Sequence, residues 1–154
     1  MTSNLPPEDQ PPAEWRRFTT DGEAAAQLPE FSFGNPLAVA MAFCHALDDH
    51  ERYRPALSQL VTPESLPAWG DFSETAGFLR SLENVGYGSQ VTPAVGDPDV
   101  VYFKILSGVK QSYQALEDQV MDIAAIVTLV WRPEYGRWLV HAIGDYLRPE
   151  EVPH

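Results

Sequence analysis

Near its C-terminal end the chain reads WRPEYGRWLVHAIGDYL, from Trp131 to Leu147, and this run places a histidine, His141, four residues before an aspartate, Asp145. A base with a tuned pKa beside a carboxylate is the equipment for moving a proton next to a carbonyl. On a strand, four residues span about 13 Å, too far for a direct hydrogen bond, so the two are no dyad without help from elsewhere. Helper groups on a helix are Tyr53, His50, His45 and Asp49. His45 and Asp49 stand at i and i+4 and are spaced to share a metal, with Asp48 or His50 nearby. With no second clustered pair in the chain, the simpler reading is an exposed ion pair. Cys44 lies in an apolar stretch with no basic neighbour, which makes it a small buried hydrophobe rather than a nucleophile. For His141 the plainer alternative is a histidine at a strand edge or a subunit seam. No cofactor and no metal is expected.

These side chains need elements to hold them. Asn35 followed by Pro36 is a cap and a first helical position, and PLAVAMAFCHALDDHERY predicts a long helix from Pro36 to Tyr53. It is apolar on nearly all faces as far as Leu47, so protein must surround that half. Arg54 before Pro55 ends it and a short helix begins there. Thr62-Pro63-Glu64 starts another that Pro67 cuts to about a turn, and a further helix is expected from Ser73 to Glu83, capped by Asp71 or Ser73. From Gly86 on, glycine and proline punctuate period-2 apolar runs. Strands are expected over Gln90 to Val95, at an edge or a bulge because of Pro93, and over Val100 to Leu106. Two more, Met121 to Arg132 and Arg137 to Leu147, form a hairpin through Pro133-Glu134-Tyr135-Gly136. Ser107 to Val120 reads either as a loop or as the start of a long, bent strand.

Helices first and an antiparallel meander after them make an α+β layer fold. In Ile123 to Trp131 odd and even positions alike are apolar, so both faces of that strand must be covered. The helices cover one. For the other the chain offers no further helices, and a second copy is the simplest cover, which predicts a homodimer through the outer face of the sheet.

At 154 residues the chain fits one domain. Residues 1–34 are expected to form a disordered or loosely docked arm, because residues 1–14 hold four of the 14 prolines and almost nothing apolar; a short helix after Thr20, ended by Pro29, interrupts it. A net charge of -12, from 22 acidic and 10 basic residues, argues against nucleic acid and anionic membranes as partners. A single cysteine, no export leader and no apolar run of membrane-spanning length predict a cytoplasmic protein.

The almost fully apolar first helix, the short helices and the sheet ending in LVWRPEYGRWLVHAIGDYL resemble the nuclear transport factor 2-like superfamily, over residues 35–150. That group includes SnoaL-like polyketide cyclases, ketosteroid isomerases and scytalone dehydratase. The resemblance implies a cystatin-like cone, in which a curved antiparallel sheet wraps a long helix and a pocket opens between them. Phe43, Leu47, Tyr53, Trp69, Phe78, Tyr102 and Trp138 are the expected pocket lining. By alternation Trp138, Val140, Ala142 and Gly144 share one face of the last strand, and Leu139, His141, Ile143 and Asp145 the other; which one lines the pocket stays open. The family holds enzymes and binders alike, so the fold does not choose between them. The leading expectation is a non-catalytic domain that binds a small apolar molecule or a protein. The alternative is a lyase or isomerase acting on a small apolar carbonyl compound, with Tyr53, His141 and Asp145 as its acid-base groups.

Overall fold

The computed structural model describes residues 31–108 and 122–154. Helices α1 (Pro36–Leu47), α2 (Arg54–Leu60), α3 (Leu66–Trp69) and α4 (Ser73–Ser81) precede strands β1 (Gly86–Tyr87), β2 (Thr92–Ala94), β3 (Asp97–Ser107), β4 (Asp122–Arg132) and β5 (Arg137–Gly144), and a 3-10 turn follows over Pro149–Glu151. The chain is α+β, with a curled, five-stranded antiparallel sheet ordered β1-β3-β4-β5 in which β2 also pairs with β3. The arm up to residue 30, with the helix after Thr20, falls outside the described residues, as do residues 109–120 of the ambiguous stretch and Met121 of the expected strand. Among the described residues no helix is long and apolar enough to cross a membrane.

Helix α1 begins where the sequence says: the Asn35 side chain accepts the Ala38 N–H at 3.2 Å, and Pro36 opens the first turn. It ends after 12 residues rather than continuing to Tyr53. The Asp48 and Asp49 N–H groups fold back onto His45 and Ala46 carbonyls at 3.1 and 3.2 Å, tightening the last turn. Asp48, Asp49 and Glu51 would extend acid charge into the negative end of the helix, with no apolar residue among Asp48 to Arg52 to bury in return.

The buried face of α1 supplies Val39, Ala40, Phe43 and Leu47 to the main core. Leu57 and Leu60 of α2 and Phe72 join them against the inner face of the sheet, formed by Val101, Phe103, Ile105, Ala125, Val127, Leu129 and Val140. Phe72 adopts a left-handed backbone, φ +69°, which turns the chain into α4 while its ring stays fully buried.

Pairing defines the outer face, since residues opposite one another project to the same side. Its rows are Val100 with Val130 and Leu139, Tyr102 with Thr128 and Ala142, Lys104 with Ile126 and Gly144, and Leu106 with Ile123. The first row is covered by the chain itself. Past β5 the backbone returns over the sheet, and Val152 is buried in a second cluster with Ala94, Val100, Tyr102 and Val130, with Leu147 alongside. A second copy, the simplest cover in the sequence, is thus not what covers this part of the face; a single apolar residue between Glu151 and Pro153 carries too little pattern to be read as a layer.

Strand β5 breaks its own alternation. Leu129 pairs with Val140 and Thr128 with Ala142, so His141 is the extra residue of a bulge. Val140 and Ile143 therefore face the core and Ala142 and Gly144 the outside, which corrects the face shared by Trp138, Val140, Ala142 and Gly144. The free side of β5 meets two backbone partners: the Trp138 N–H donates to Phe33 O at 2.9 Å, and Val140 O accepts the Thr62 N–H at 2.8 Å.

Candidate functional site

The bulge and the turn before α3 meet around Thr62. Val61 bridges in parallel to Val140, and this places the Thr62 side chain, fully buried, 2.8 Å from His141 Nδ1. Ser65, also buried, donates its hydroxyl to Thr62 O at 3.0 Å and accepts the Trp69 Nε1–H at 2.8 Å. Thr62 Oγ1 donates to Ser65 Oγ at 2.9 Å and accepts the Ser65 N–H at 3.3 Å. With its one proton directed to Ser65, the threonine oxygen accepts from His141, whose Nδ1 then carries the hydrogen and whose Nε2 presents a lone pair. Burial pushes the His141 pKa down, partly opposed by the Glu64 carboxylate and reinforced by Arg132.

Beside this network Arg132 is 5% exposed and forms a fork on Glu64, at 2.8 and 3.1 Å, and a second contact with Glu134 at 2.6 and 3.0 Å. Its hydrogen bonds hold both carboxyls below the usual carboxylate range, and the pair holds the guanidinium charged. The turn before α3 is thereby bolted to the β4–β5 hairpin. On the inner side Trp69 meets Phe43 edge-on at 5.4 Å and stacks on Phe72 at 5.8 Å.

The candidate acid-base groups do not converge. Tyr53 is half-buried against the main core with Arg52 over its ring, Asp145 is exposed at the end of β5, and no hydrogen bond joins either to His141 among the described residues. Nor do the expected lining residues share one surface. Phe43 and Leu47, at 0% and 1% exposure, face no water-sized space. Tyr53, Trp69 and Trp138 are half-buried around the same core, whereas Phe78 points largely to solvent. Tyr102 is corrected outright: strand alternation puts it beside Val100 on the outer face, where its hydroxyl donates to Leu147 O at 2.7 Å. His45 and Asp49 are exposed, and no group of three or more potential metal ligands occurs among the described residues. Cys44 is buried and its thiol pushed up to about 12 by burial.

Thr62, Ser65, Glu64 and Arg132 escaped the sequence reading. Thr62-Pro63-Glu64 carried the signal of a helix start, but it forms a turn and the helix begins only at Leu66, while the threonine reaches across to a strand 79 residues later.

The other half of the outer face remains open. Ile123 is 51% and Tyr146 56% exposed, Leu106, Ile126 and Ala142 are partly exposed, and Lys104 stands there without an ion-pair partner among the described residues. No protein-family model matches the chain, and neither the curated proteins nor the solved structures give a match.

Proposed function

We propose that this chain is a nuclear transport factor 2-like domain of the cone type that works by binding rather than by catalysis, and that the open half of its outer sheet face receives a second copy. The observation that carries this reading is the apolar patch of Leu106, Ile123, Ile126 and Ala142, left partly exposed next to the part that the C-terminal segment covers. Apolar surface gathered on one sheet face suits a two-fold contact in which each patch meets itself. The tight packing of Phe43 and Leu47 favours a partner on this surface over a molecule taken into the core. Sedimentation of the full chain tests it: a dimer is expected, and Ile126→Lys is expected to give a folded monomer. A wild-type chain that sediments as a monomer at every concentration overturns the pairing.

One observation favours a second reading, a lyase or isomerase on a small apolar carbonyl compound: the Thr62 contact holds the His141 Nδ1 hydrogen, so that Nε2 is the nitrogen left to exchange a proton, and burial disfavours the charged ring. That reading predicts hydrogen exchange next to the carbonyl of an apolar cyclic ketone, followed by NMR, that is lost in His141→Gln. Equal exchange in both proteins removes it.

A further inference from the structure

The C-terminal segment is fastened over the outer face at two side chains. Tyr102 donates to Leu147 O, and burial, with the Tyr146 hydroxyl, raises its pKa so far that it keeps its proton throughout the neutral range. The second fastening is His154. Its Nδ1 lies 2.8 Å from Val152 O and its Nε2 lies 2.7 Å from Asp97 Oδ2. A carbonyl oxygen only accepts, and so does an ionised carboxylate. Both contacts are hydrogen bonds only when both ring nitrogens carry hydrogen, that is, when the ring is an imidazolium. A neutral ring has one hydrogen to give, and the other nitrogen then sets a lone pair against an oxygen. Asp97 is held as an acceptor, because its Oδ1 also takes the Asp99 N–H at 3.1 Å.

The charged groups around the ring come from two elements. Asp97 and Asp99 belong to β3, and burial together with Asp97 raises the Asp99 carboxyl above its ordinary value. Glu150 and Glu151 belong to the 3-10 turn and are engaged by Arg148 at 3.7 and 2.7 Å.

We propose that His154 is a proton-operated latch: protonated, it fastens the C-terminal segment across the outer face of the sheet through Val152 O and Asp97, and deprotonated it lets the segment loosen. Release uncovers Val100, Tyr102 and Val130, next to the rows of Ile126 and Ile123. The inference does not depend on the pairing of two copies.

Hydrogen exchange on the full chain tests it, read at the Glu151 and Val152 amides, whose N–H groups bond to Arg148 O and Pro149 O. After correction for intrinsic rates, protection is expected to fall about tenfold between about pH 5.5 and about pH 8, the range over which a histidine changes charge. His154→Gln is expected to remove the step. Asp97→Asn is expected to remove it too, because an amide offers either an oxygen or an N–H to the ring. Asp99→Asn is expected to keep it, which separates the latch from titration of the neighbouring acid. Equal protection at both pH values in the wild type, a step that survives in His154→Gln, or a parallel loss at β4 amides would each overturn the proposal.

Discussion

Thr62 is the side chain on which most others depend, since its oxygen serves the turn before α3, a serine and a histidine on a distant strand. Thr62→Val keeps the shape and leaves the Ser65 N–H and His141 Nδ1 without their acceptor, so a loss of about 1–3 kcal/mol is expected in urea unfolding. Nitrogen chemical shifts of His141 are expected to report hydrogen on Nδ1. Because burial depresses the His141 pKa, the folded state resists a proton that the unfolded chain accepts. That part of the stability is complete above about pH 6.5 and declines as the pH falls below it; in His141→Gln the decline is expected to vanish. Glu64 and Glu134, both depressed by Arg132, act in the same sense but lower, with their contribution lost as the pH falls below about 4. The ion cluster is asymmetric, with a buried cation between two half-exposed anions. Glu64→Ala leaves the buried guanidinium with Glu134 as its one carboxylate partner and is expected to cost about 1–3 kcal/mol, whereas Arg132→Met returns two carboxylates to water and is expected to cost less; paired unfolding curves decide it.

At the scale of elements, the β4–β5 hairpin is the part most strictly written into the residues. The Tyr135 and Gly136 N–H groups bond to Arg132 and Pro133 carbonyls at 3.0 and 3.1 Å, and Gly136 takes φ +63°. Gly136→Ala is expected to cost about 1 kcal/mol, read as a lowered melting temperature with the far-UV spectrum unchanged. This hairpin was legible because turn chemistry is local: proline and glycine three positions apart carry their meaning with them. The start of α1 was legible for the same reason, through Asn35 and Pro36. Its end was not, because apolar pattern and charge disagree after Leu47 and the tightened last turn decides. The bulge at His141 was invisible as well. It arises from a register shift against Thr128 and Leu129, and a shift between strands leaves no mark in either strand's own spacing. Of the expected site, Phe43, Leu47, Tyr53, Trp69 and Trp138 gather on one core as their apolar character requires, while Tyr102 left it because one step along a strand changes sides.

For the molecule as a whole, the C-terminal segment acts as a third layer over the sheet, and Val152 is its anchor. Val152→Asp replaces a side chain only 3% exposed by a charge. It is expected to cost at least the roughly 2 kcal/mol of lost valine burial and to raise binding of an apolar dye, measured by fluorescence at constant protein concentration. The two backbone contacts on the free flank of β5 have a different consequence. Phe33 and Thr62 occupy hydrogen-bonding positions that an incoming peptide would need in order to add itself as a sixth ribbon there. Growth into a continuous inter-chain ladder from that flank would require both segments to peel away first, so strand addition there is gated by local opening at Phe33 and Thr62 rather than by exposure of a ready-made template.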